Sequence, residues 1–115
     1  MVDANKCANY EIAKQCFDED LEFRVRTRRN RLLGLWAAAE LGLSGDRGDN
    51  YAKSIVTLGI EFPDDKAIIR QIVGDMRASG ASCHEYAVRS EMDRLSRIAA
   101  LEYAADEPDS PSKAA

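Results

Sequence analysis

Apolar positions along this chain recur every three or four residues, the period that lines up one side of an α-helix. The pattern breaks at residues 42–48, 59–63 and 80–82, and again after Asp106. Four helical segments are predicted between these breaks. The first runs from about 9 to 41, and Phe17, Leu21, Val25, Arg28, Leu32, Leu35 and Ala39 mark a stripe along it. Asp20 with Arg24, and Glu22 with Arg26, stand four apart with the acid first, the favourable order for a helix. The stretch before Cys16 is polar with scattered small apolar residues, so it is expected to be mobile, or helical only on a partner.

The second segment is predicted over 50–58, with Tyr51, Ile55 and Leu58 on one face and Gly59 as its stop. The third starts at Pro63, suited to a first helical turn, with Asp64 and Asp65 at the positive end of the helix dipole. Ile68, Ile69, Ile72, Val73 and Met76 are its core face, and Gly80 ends it. The fourth begins with Ser82, Cys83, His84 and Glu85, which fit a capping box. Val88, Met92, Leu95, Ala99 and then Glu102 or Tyr103 follow as its stripe. After Asp106, two prolines among polar residues read as a disordered tail. Ser54 to Thr57 is the best strand candidate, but it is short and flanked by helix signals.

The expectation is an all-α four-helix bundle with a long first helix. Its predicted parts are a mobile segment at 1–16, the bundle at 17–105 and a tail at 106–115. A chain of 115 residues is one domain in size and can bury a core without disulfides or metals.

Composition narrows the function. Formal net charge is −4 and the sequence pI is about 5.0, which argues against a general nucleic-acid binder. No apolar run reaches the roughly 18 residues of a membrane span, and the N-terminus lacks a signal-peptide pattern. A cytoplasmic chain, not inserted in a membrane, is expected.

Cys7, Cys16 and Cys83 are an odd, irregular set, which reads as reduced thiols. With His84 they lack zinc-ligand spacing, so no metal site is predicted. His84 is the only histidine, and it is the sequence neighbour of Cys83. Adjacent helical side chains diverge, so no nucleophile–base pair forms and no catalytic residue is assigned. The glycines at 42, 45 and 48 match no phosphate-loop fingerprint and read as an interhelical link, though weak ADP or ATP binding stays open.

One local feature stands out. Arg24, Arg26, Arg28, Arg29 and Arg31 fall within eight residues, ahead of Trp36, the only tryptophan. Around a helix they cover about three sides, too many for the acids at 18–22 to neutralise. They read as solvated surface with ion pairs to later helices, or as a protein-recognition face, where arginine is enriched.

The run from Arg28 through Arg29, Asn30, Arg31, Leu32, Leu33, Gly34, Leu35, Trp36, Ala37 and Ala38, continuing to Leu41 and Gly42, resembles the ATP synthase inhibitor zeta subunit family of alphaproteobacteria. The resemblance extends back to Asp18, Glu19, Asp20 and Leu21. More loosely, it continues through Tyr51, Ala52, Pro63, Gly80 and Met92.

It implies a non-catalytic regulatory subunit, monomeric when free and peripheral to the inner membrane. Its implied partners are the catalytic α and β subunits and the central stalk of F-type ATP synthase. In that family an N-terminal segment folds into a catalytic interface beside the stalk and blocks rotation during ATP hydrolysis. The resemblance assigns partner binding to Tyr10, Ile12, Ala13, Lys14, Phe17, Leu21, Arg24 and Arg28. Leu32, Leu33, Leu35 and Trp36 would lock the first helix into the bundle, and the arginines would mark where it leaves for its partner.

The N-terminal segment departs from the family pattern. Ala13 and Lys14 keep it, but Cys7 stands where an arginine is expected, Ile12 where an acid is, and Gln15 where an aromatic is. Restraint of hydrolysis weaker than the family's follows from those losses, with Tyr10 and Ile12 as substitute anchors. The alternative is a non-inhibitory helical adaptor or nucleotide-sensing module with another partner.

Overall fold

A computed structural model describes the backbone of residues 10–81 and 84–106 and the side chains of 19–81 and 84–104. The described residues form four helices: α1 (Tyr10–Glu40), α2 (Gly45–Glu61), α3 (Asp65–Ala78) and α4 (Glu85–Asp106). This is the all-α bundle expected, with the first helix longest. The tail after Asp106 and the Ser82 capping box lie outside the described residues, as does the expected mobile segment up to residue 9. From Tyr10 onward its backbone is helical and continuous with α1.

α1 packs mainly on α2 and α4, while α3 closes the bundle against α4 and α2. Ile68, Ile69, Ile72, Val73 and Met76 of α3 meet Val88, Met92 and Leu95 of α4 in one core, with Leu33, Ala37 and Ile55. The apolar faces predicted for α3 and α4 are thus the buried ones.

The stripe predicted for α1 is displaced around the helix. Its buried positions are Arg29, Asn30, Leu33, Gly34, Ala37 and Ala38, while Leu35 is half-buried and Ala39 exposed. Apart from Leu33, the buried face is made of small and polar residues, which a search for large apolar side chains passes over. Gly34 shows the reason: a Cβ there would sit 2.7 Å from Ala52 Cα, so the two helices cross almost backbone to backbone. Leu33 is fully buried, and Leu32 and Trp36 pack half-buried against the core.

Two helix ends follow their sequence signals. Gly42 (φ +79) and Gly80 (φ +83) are left-handed. At the first, Leu43 N–H donates to Ala38 O at 2.8 Å and Gly42 N–H to Ala39 O at 3.1 Å. At the second, Ala81 N–H donates to Met76 O at 2.9 Å and Gly80 N–H to Arg77 O at 3.1 Å. Both are Schellman stops.

The bounds of α2 and α3 differ from expectation. α2 starts at Gly45 and runs through Gly59 to Glu61. Gly48 lies inside it, close under the Leu43 carbonyl, which would stand 3.3 Å from a Cβ there. Ser54 to Thr57, the strand candidate, is helical. α3 is capped by Asp64, whose side chain accepts from Lys66 N–H at 3.0 Å, so Pro63 precedes the helix and does not open it.

Candidate partner-binding surface

The described side chains of α1 change character at Arg29. Between Glu19 and Arg28 no side chain is fully buried, and burial begins at Arg29. At about 1.5 Å per residue, 31 residues make a rod some 46 Å long.

Arg29 fixes the point where burial begins. Its guanidinium donates to Asp65 Oδ1 at 2.8 Å and Oδ2 at 3.3 Å. It also donates to Asn30 Oδ1, from Nη2 at 2.7 Å and from Nε at 3.0 Å. Asn30 is buried in turn against Gly59, where a Cβ would stand 2.4 Å from its Nδ2. One of the five clustered arginines is therefore an internal tie between α1 and α3, and the ion-pair reading of the cluster holds for it.

Arg24 and Arg28 face a groove of about 1080 Å³ between α1, α2 and the end of α4. Phe23, Leu32, Val56 and Tyr103 give it an apolar floor. Arg24 is exposed and pairs with Asp20 at 3.0 Å, the expected i,i+4 pair. Attraction to Asp20, and secondly the Tyr103 hydroxyl, hold its guanidinium above the usual range. The Arg28 guanidinium lies 5.7 Å from the centre of the Tyr103 ring, a cation–π distance. Arg31 and Lys53 line the same groove, and neither makes an ion pair among the described residues.

Leu21 faces elsewhere. It is half-buried in a shallower groove with Val25, Arg26 and Ser96. Glu22 also lines that groove and makes no ion pair with Arg26. The structure thus groups Arg24 with Arg28 and leaves Leu21 on a different flank of α1. The side chains of Tyr10, Ile12, Ala13, Lys14 and Phe17 lie outside the described residues.

Sequence reasoning did not single out Lys53 or Tyr103 as site residues. Lys53 stands apart from the arginine run, in a helix with only one other cation, Arg47, and Tyr103 reads as the end of a core stripe, so neither carries a local signal. Only the fold brings them to the arginines.

Among the described residues no three His, Cys, Asp or Glu side chains gather as a metal would require. No helix among them is long and apolar enough to cross a membrane. The family model that matches this chain is described as ATPase inhibitor subunit zeta and aligns with residues 3–102. No curated protein and no solved structure matches the chain.

Proposed function

The chain belongs to the ATPase inhibitor subunit zeta family, and we propose that it binds the catalytic sector of F-type ATP synthase through the first half of α1 and restrains ATP hydrolysis. One observation carries this reading. α1 extends ten described residues, 19–28, before its first fully buried side chain. A helix that long gains little from its own propensity and much from packing, so the described residues 19–28, none of them fully buried, are suited to a partner that covers them further.

In this reading the bundle is the handle and the early part of α1 is the insert. Tyr10, Ile12 and Phe17 supply apolar anchors and Lys14 a charge, with Ala13 allowing close approach. Leu21, Arg24 and Arg28 contact the rim. The insert enters between α and β subunits beside the central stalk and obstructs rotation in the hydrolytic direction. Binding orders or stabilises the insert, which costs part of the gross interaction energy. With Gln15 and Ile12 in place of an aromatic and an acid, restraint is weaker than the family pattern would give. The protein acts as a monomeric, non-catalytic ligand of the enzyme.

The test is to titrate the full chain onto purified ATP synthase from its own source and follow ATP hydrolysis. Saturable loss of hydrolysis, abolished by deleting residues 1–17, is expected. Unchanged hydrolysis together with no co-sedimentation would overturn the reading.

A further inference from the structure

We propose that the groove holding Arg28, Arg31 and Lys53 is a second contact with ATP synthase, one that takes an acidic amphipathic segment of the catalytic sector. This rests on the proposed function and adds to it, because Arg31 and Lys53 lie outside the insert and its rim contacts.

Charge complementarity identifies the occupant. Among the described residues, Arg24, Arg28, Arg31 and Lys53 line the groove with one acid, Glu102. Arg24 is shared with Asp20, but Arg31 and Lys53 have no acidic partner among the described residues. Such a cluster is conspicuous on a chain of net charge −4. That overall sign disfavours a nucleic acid, whose backbone would meet the whole acidic surface. It does not disfavour a short acidic segment, which meets only the groove.

The apolar floor argues for an amphipathic occupant. Phe23 is 44% exposed at the groove, an aromatic surface that a small anion would leave wet. Arg24, Arg28 and Arg31 step by four and three, so they form one stripe about 10 Å long on α1. Acids spaced three or four apart on a partner helix match that stripe, with apolar residues between them meeting Phe23, Leu32 and Tyr103.

Position supplies the link to ATP synthase. Arg28 follows Phe17, the last anchor of the insert, by 11 residues, about 16 Å along the helix. A partner large enough to enclose the insert has surface within reach of the groove.

The experiment measures affinity of the full chain for ATP synthase at several salt concentrations. The double variant R31E/K53E is compared with wild type, with helix content and thermal midpoint as fold controls. Both side chains are exposed, so the fold is expected to be unchanged. Binding should weaken at least tenfold and lose much of its salt dependence, the behaviour of rim charges that steer association. The milder R31Q/K53Q should lose less.

Affinity within twofold of wild type for R31E/K53E would overturn the proposal while leaving the insert reading intact. Absence of wild-type binding would remove both readings. Two further outcomes would also overturn it by naming another occupant. One is tighter binding on truncation after Asp106, which would put the chain's own acidic tail in the groove. The other is an R31E/K53E-sensitive dimer in sedimentation, which would put a second copy there.

Discussion

Arg29 and Asp65 join the middle of α1 to the first turn of α3 through two hydrogen bonds, the shorter 2.8 Å. The Arg29 side chain is 8% exposed and that of Asp65 43%, so the cation carries most of the desolvation cost. Asp65→Ala would leave it with Asn30 alone. A loss of about 1–3 kcal/mol is expected, below the range for a fully buried pair because water can reach the vacated side. Urea denaturation of the variant measures it. A loss under about 0.5 kcal/mol would show that Asn30 suffices.

Three glycines inside helices should respond to alanine in different directions. At Gly34 the new methyl would meet Ala52 backbone at 2.7 Å, so the two helices must part. Gly34→Ala is expected to cost several kcal/mol or prevent folding, beyond the usual overpacking range of about 1–3 kcal/mol. At Gly59 the nearest atom is the Asn30 side-chain nitrogen at 2.4 Å, with Ile68 Cδ1 at 3.1 Å. Those are side-chain tips, but Asn30 is tied to Arg29, so a cost of about 1–3 kcal/mol is expected. Nothing lies within 4 Å of a Cβ at Gly74, and there Ala should stabilise by about 0.5–1 kcal/mol through helix propensity. Thermal melts of the three variants decide the order.

Tyr51 should make stability fall at alkaline pH. Its hydroxyl donates to Asp75 Oδ2 at 2.7 Å. Burial first, then that bond and the carboxylate charge, push its pKa above the ordinary value of 10.0. The folded state therefore keeps a proton that the unfolded chain releases above that pH. The stabilising contribution is complete below pH 10 and is lost as pH rises toward the folded value. Tyr51→Phe should lower stability at pH 8, where the hydrogen bond is lost, yet lose less than wild type between pH 9 and 11. Equal pH slopes for the two proteins would refute this.

The faces of α3 and α4 were legible because they follow the simplest physics, large aliphatic residues at helical spacing. That signal gave Ile68 to Met76 and Val88 to Ala99 as core. α1 was legible as a helix but not in its rotation. Its buried face depends on Gly34, Ala37, Ala38 and Asn30, whose burial comes from close crossing and a hydrogen bond, and neither leaves a hydrophobic period. Gly59 was a clear signal with an ambiguous cause. Stop and close approach both call for glycine, and only the position of Asn30 distinguishes them. The groove was half legible. Its arginines are clustered in sequence, while Lys53 and Tyr103 come from helices whose arrangement no local pattern specifies.

The altered N-terminal pattern gives a gain-of-function prediction. Gln15 stands where the family pattern has an aromatic, and Ile12 where it has an acid. If this segment inserts into a groove of ATP synthase, a missing aromatic anchor costs at least about 2 kcal/mol, the scale of a hot-spot residue. At 1.4 kcal/mol per tenfold, that is more than a tenfold loss of affinity. The variant Q15F should therefore inhibit hydrolysis at a concentration at least tenfold below wild type. The bundle should be unaffected, since position 15 precedes Arg29, the first buried residue among the described side chains of α1, by more than ten residues. Dose–response curves of ATP hydrolysis, with thermal midpoints as controls, make the comparison. Tighter inhibition at an unchanged midpoint would place the effect at the insert. Equal or weaker inhibition would mean that Tyr10 and Ile12 already anchor this segment in a register of their own.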